Sequence, residues 1–265
     1  MGGFTSTPPI LAARRLRIPC LVHESNAIPG KANRFSARFC SKILLGFEET
    51  RDFFPHGECL FTGTPVRRSI GKRIPREQAL VRFGLDPARK TVLVMGGSQG
   101  AAGINQLLFR VANRLAAISA QVIHLTGDRD DRLAVANYLR EQLPSHVAVF
   151  HETMEEAYSA ADLVVSRAGA SSLNEISHFG LASVLVPYPF AADNHQEANA
   201  KIFVRHGAAE MVLESESTAG NFGNLLVNLL QDDARREAMA QAASKLQPRD
   251  ADRRVADIIE REARV

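Results

Sequence analysis

Uninterrupted apolar runs alternate along this chain with stretches in which apolar and polar residues share a helical period. The runs are CLVHE (20–24), KILLGF (42–47) and ECLFTG (58–63), then TVLVMGG, QVIHLTG, VAVFH, DLVVSRA, SVLVPYP and AAEMVL. Between them the pattern predicts helices near 30–41, from Ala101, from Arg129, near 153–160, from Ser171 and from Asp193, and helix throughout from about Ser217. Strands that are apolar on both faces and separated by helices belong to parallel sheets covered on both sides. The expected class is therefore α/β.

The Pro- and Arg-rich segment TPVRRSIGKRIPRE interrupts this alternation and marks a domain boundary. We expect a first domain over residues 1–66, a linker over 67–90, a second domain over 91–250 and a C-terminal helix over 251–265. With 265 residues, 45% of them hydrophobic, the chain can form two small domains or one large one. No apolar run approaches the roughly 18 residues of a membrane span, and the first residues lack the apolar stretch of a secretory signal. Cys20, Cys40 and Cys59 are unevenly spaced with no CxxC, so reduced thiols are expected rather than a disulfide frame or zinc site. Charge is uneven. Residues 1–90 hold 16 Lys/Arg against 7 Asp/Glu, and the remainder 16 against 22. A basic first part suits an anionic surface or substrate, or is simply a solvated basic face; with few aromatics among the basic residues, nucleic acid is a poor partner.

Two loops carry the chemistry. MGGSQGAAGIN places glycines between a strand and a helix, where backbone N–H groups can approach a phosphate and where Ser98 and Gln99 add donors. SRAGASSLNE does the same with small residues, and Ser171, Ser172 and Glu175 begin the following helix. Both loops end parallel strands and so should face one crevice. Glu175, expected in the first helical turn, can accept hydrogen bonds from a ribose diol; alternatively, Ser172 and Glu175 form an S-x-x-E capping box. The cluster Asp193-Asn194-His195-Gln196 has the same two meanings: a crevice-facing polar group, or an N-cap at Asp193 with an ordinary first turn. Asp128-Arg129-Asp130 matches a metal-binding DxD, but its place at a helix start favours a cap.

Together, HESNAIPGKAN, TGTPVR, VMGGSQGAAGIN, SRAGASSLNEI and VPYPFAADNHQEANA resemble, in order and over essentially the whole chain, the peptidoglycan N-acetylglucosaminyltransferases of bacteria, the MurG family. The resemblance implies two Rossmann-like domains of the GT-B type and transfer of N-acetylglucosamine from its UDP conjugate to lipid I, forming lipid II. It implies an inverting reaction without metal or cofactor, on the inner face of the cytoplasmic membrane, with an undecaprenyl-linked acceptor and an anionic membrane surface as partners. It assigns Arg67 to the nucleotide, Ser98 and Gln99 to the diphosphate, and Ala170, Ser171, Ser172 and Glu175 to the donor, with Glu175 on the ribose. Asn26 and Gln196 would address sugar hydroxyls, with His195 beside Gln196 in the UDP-sugar site, and His151 the uracil edge through its backbone. Gly2 and Gly3 correspond to an acceptor-pyrophosphate loop.

Family members open with another glycine-rich loop, GGTGGH-like, whose histidine is the favoured general base. Here Gly2-Gly3-Phe4 already corresponds to the second such loop, so the N-terminal domain is expected to be incomplete, with residues 1–66 packing poorly alone. No catalytic base is assigned; His23 and His56 are expected at the surface or behind the site. The alternatives are a UDP-sugar-binding half that is non-catalytic or depends on a separate N-terminal half, and, as a lesser one, a UDP-sugar epimerase.

Overall fold

In the computed structural model, residues 4–67, 70, 72–97 and 101–264 are described. The first unit contains α1 (Thr7–Arg15), β1 (Leu21–Glu24), α2 (Lys31–Ser36), β2 (Lys42–Leu45) and β3 (Cys59–Phe61). Its strands form a parallel sheet in the order β1-β2-β3. The second unit runs through α3 (Arg76–Arg82), β4 (Thr91–Met95), α4 (Ala102–Phe109), α5 (Ala112–Ala117), β5 (Gln121–Leu125), α6 (Asp131–Arg140), β6 (Ser145–Ala148) and α7 (Met154–Ala160). It continues with β7 (Leu163–Ser166), α8 (Ala170–Phe179), β8 (Ser183–Leu185), α9 (His195–Arg205), β9 (Ala209–Met211), α10 (Ala219–Gln231), α11 (Asp233–Leu246) and α12 (Ala251–Ala263).

The second sheet is parallel, in the order β6-β5-β4-β7-β8-β9. This doubly wound order reverses direction between β4 and β7, and ligands bind at that switch point beyond the strands' carboxyl ends. Alternate residues of β4 serve two cores. Leu93 and Met95 pack with Tyr158, Leu173 and Phe179 on one face, while Val92 and Val94 pack with Ile104, Leu108 and Leu226 on the other. An uninterrupted apolar run is what a strand buried on both faces requires.

Several local expectations are corrected. Helix α1 was not anticipated: the prolines of TPPILAARR fall in its first turn, where their missing N–H groups have no intrahelical partner to lose. The linker contains α3, whose Leu80 joins the same core cluster as Leu93 and so attaches the connection to the second unit. Strand β6 ends at Ala148, one residue before Val149 and Phe150 emerge half-exposed. Helix α8 begins at Ala170 with Gly169 as its extended N-cap, so Ser172 lies inside the helix and the S-x-x-E capping box does not form. A capping box does occur at Thr218–Asn221, opening α10. Asp193 does not cap α9: it and Asn194 have φ of 51° and 53°, and Asn194 occupies the cap position. The C-terminal region is three helices, and α12 returns to the first unit, where Glu262 pairs with Lys42 at 3.7 Å.

Candidate functional site

Strands β4 and β7 are paired in parallel with Met95 opposite Ser166, so the loops after them are neighbours. Beyond them lies a cavity of about 480 Å³. Its walls are Met95, Gly97 and Leu125 from the strand ends, Val149, Phe150, Met154 and Tyr158 from the β6–α7 region, and Ser171, Ser172, Asn174 and Glu175 from α8. Pro65, Val66 and Arg67 close it from the first unit's side.

Glu175 sits in the second turn of α8, not the first, and is only 8% exposed. Its Oε2 accepts a hydrogen bond of 2.8 Å from the Tyr158 hydroxyl, and its Oε1 lies 3.5 Å from Arg67 Nη2. The Arg67 side chain is 65% exposed, so its charge faces the opening. The first turn of α8 opens on this space through Ser171 and Ser172, and helix N-termini favour anions. Ser171 and Ser172 line the cavity, and Ala170 opens the helix that carries them. Ser98 and Gln99, like Gly2 and Gly3, lie outside the described residues.

The remaining predicted residues stand elsewhere. The His151 side chain turns away to Glu156, 3.3 Å from its Oε2, and packs against Phe83. Gln196 accepts a hydrogen bond from the Tyr188 backbone N–H at 2.9 Å, holding the β8–α9 loop next to His195 at the start of α9. Asn26 belongs to a knot built on Glu24. That buried carboxylate accepts from Asn26 N, Asn26 Nδ2, Gly30 N and Asn33 Nδ2 at 2.8–3.2 Å. Asn26 Oδ1 then accepts from Asn199 Nδ2 at 3.1 Å, across to the second unit. His23 points inward. Its Nε2 donates to the Gly63 carbonyl at 2.9 Å, leaving Nδ1 to accept from the Ser25 hydroxyl at 3.2 Å, and burial lowers its pKa below the ordinary histidine value.

A buried network stands behind α4. Asn105 Nδ2 donates to Thr126 O and Asp130 Oδ2, so its Oδ1 accepts from His124 Nε2, and His124 Nδ1 accepts from the Tyr138 hydroxyl. These bonds fix the neutral Nε2–H tautomer. Asp130 occupies the N-cap position of α6 but makes no side-chain cap bond there; the DxD-like carboxylate serves Asn105 instead. Beside α4, buried Arg167 donates to the carbonyls of Val186 and Pro187 and pairs with Glu214, whose carboxylate covers Gly103.

Sequence reasoning missed Tyr158, Asn199 and the network around His124. The only available signal was a polar residue standing among apolar neighbours, as His124 does in QVIHL.

Residues 91–260 match the glycosyltransferase family 28 C-terminal domain, and residues 1–45 its N-terminal domain. The chain belongs to glycosyltransferase family 28. It is 36% identical to the UDP-N-acetylglucosamine--N-acetylmuramyl-(pentapeptide) pyrophosphoryl-undecaprenol N-acetylglucosamine transferase of Gloeothece citriformis, over 97% of this chain and 69% of that one. It is also 36% identical to the transferase of the same name from Geobacter sulfurreducens, over 97% and 70%. The crystal structure of Acinetobacter baumannii MurG superposes with a TM-score of 0.83 at 31% identity, over 98% of this chain and 72% of that one. A UDP-GlcNAc 2-epimerase from Neisseria meningitidis, at 12% identity and a TM-score of 0.69, shares the fold alone. The α/β class and GT-B architecture expected from the sequence are thus borne out.

Proposed function

We propose that this chain is a hexosyltransferase that moves N-acetylglucosamine from UDP-N-acetylglucosamine to the undecaprenyl-linked acceptor lipid I, forming lipid II. The observation that carries this reading is the Glu175 carboxylate, held at the cavity wall between Tyr158 and Arg67 at the switch point of the second sheet. A carboxylate there suits a ribose diol, the N-terminus of α8 and Arg67 suit a diphosphate, and Leu125, Phe150 and Met154 offer an apolar wall for a base. The expected chemistry is one inverting displacement: the acceptor hydroxyl attacks the anomeric carbon, a base takes its proton, and UDP departs with its growing charge facing Arg67 and the helix amides.

The acceptor is lipid-linked, and the first unit presents a face suited to a membrane surface. Leu11, Leu16, Ile18, Phe35 and Phe53 are exposed, and the guanidinium groups of Arg14 and Arg34 lie over Phe39 and Phe53. Apolar side chains ringed by cations are the composition of an interfacial contact with anionic lipid. Peripheral attachment at the cytoplasmic leaflet, where anionic lipid and lipid I are found, follows from that reading.

The donor half of the proposal is tested by calorimetric titration with UDP and with UDP-N-acetylglucosamine. Both should bind, and Glu175→Gln should weaken both by about 1–3 kcal/mol, the cost of losing hydrogen bonds to a charged acceptor. Equal affinity in the variant would refute the assignment of Glu175 to the donor.

A further inference from the structure

Among the described residues that line the cavity, the phenol of Tyr158 is a titratable group that the proposed reaction leaves unused. It is fully buried on α7, its ring stacked on Phe179 with centroids 5.1 Å apart. Its hydroxyl reaches Glu175 Oε2 at 2.8 Å, with Met95 Sδ 3.5 Å away. A buried tyrosine hydroxyl needs a partner, and here that partner is the acidic side chain at the cavity wall.

We propose that Tyr158 is a positioning residue for donor recognition, aiming the Glu175 carboxylate at the ribose diol. The proposal rests on the reading that Glu175 holds that ribose. An ionised carboxylate offers about four acceptor directions, two on each oxygen. Tyr158 occupies one on Oε2 and Arg67 approaches Oε1, so each oxygen keeps one direction for a further donor. Two parallel acceptors on neighbouring oxygens match the two adjacent hydroxyls of a ribose. Glu175 has several rotatable bonds, and the bond from Tyr158 holds its outer end where α8 alone would not. Burial, reinforced by the adjacent carboxylate, keeps the phenol protonated well beyond the ordinary tyrosine range, so it remains a donor at any working pH.

The test measures affinities of UDP and 2′,3′-dideoxy-UDP for the wild-type chain, Tyr158→Phe, Glu175→Gln and the double variant. Wild type should prefer UDP by about tenfold or more, as expected when paired hydroxyls meet a charged acceptor. Tyr158→Phe keeps the ring stacked on Phe179, so dideoxy-UDP should bind within about twofold of wild type, which also reports an intact cavity. Its preference for UDP should fall by about 3- to 30-fold. In the Glu175→Gln background, adding Tyr158→Phe should change UDP affinity less than twofold, because the tyrosine acts through the glutamate. An unchanged UDP preference in Tyr158→Phe, with wild type discriminating, would overturn the proposal while leaving Glu175 on the ribose. No discrimination in wild type would overturn both. Should Tyr158→Phe fail to bind dideoxy-UDP, the residue is structural and the proposal falls.

Discussion

Acidification singles out His124. Its ring is fully buried between Asn105 and Tyr138, both nitrogens engaged, and burial pushes its pKa down to about 3. In the unfolded chain the same group titrates near 6.5, so between these values the unfolded state binds a proton that the native state refuses. Stability from this group is therefore complete above pH 6.5 and is lost as pH falls from there toward 3. The loss follows RT ln(1 + 10^(6.5−pH)), which is about 2 kcal/mol at pH 5. His23, His146 and His178 are also held low by burial and slope in the same direction, so the informative quantity is the difference from a variant without this titration. His124→Gln serves: it should be less stable at pH 8 by about 1–3 kcal/mol through imperfect replacement of two buried bonds. Its deficit should shrink by about 2 kcal/mol between pH 8 and 5, as wild type alone pays the protonation cost. Urea unfolding at a series of pH values, with constant m, measures this. Parallel stability curves for the two proteins would refute the reasoning.

Gly103→Ala should destabilise by about 1–3 kcal/mol, opposite to the usual gain from alanine in a helix, because its Cβ would run into the Glu214 carboxylate and Arg167 holds that carboxylate in place. Urea unfolding of the Glu214→Ala double variant should show most of that penalty gone, and simple additivity would show that the contact is not the cause. On vesicles containing anionic phosphatidylglycerol, Leu16→Asp should weaken co-sedimentation by about tenfold or more, since burying one large apolar side chain is worth about 1.5–3 kcal/mol. Leu16 is 70% exposed, so folding stability should barely move; unchanged co-sedimentation would remove this face from the membrane contact.

The strands and their parallel arrangement were legible because burial on both faces demands apolar runs, as in TVLVM and DLVVS. The loop after β7 was legible because small residues there have a physical use, and Ser171 and Ser172 just beyond it line the cavity. Helix starts were less so. A small residue in extended backbone can open a helix without any side-chain cap, as Gly169 does for α8, and that puts Ser172 inside the helix and Glu175 in its second turn. Partnerships between distant segments were not legible. Nothing local in MEEAYSA announces that Tyr158 will meet a glutamate 17 residues later, because only the packing of α7 against α8 brings them together.

The clearest case is HESNAIPG, which resembles a binding motif yet contributes no side chain to the cavity wall. Its glutamate gathers the loop's own N–H groups, and the ordered loop presents the Ala27 amide and Asn26 Oδ1 to Asn199. Fully buried Asn199 accepts from Ala27 N at 2.8 Å and donates to Asn26 Oδ1 and to the carbonyl of Ala168, in the turn that opens α8. A second pin stands at the crossover, where Gln247 donates to Gly46 O and accepts from Thr64 N. Thr64 leads directly into Pro65, Val66 and Arg67, the first unit's wall of the cavity. Both pins therefore join the first unit to the parts that shape the cavity, one to the turn before Glu175 and the other to the segment before Arg67. A cavity built between two units needs its walls held in register, and buried, hydrogen-bonded amides do this with directional bonds that apolar packing cannot supply.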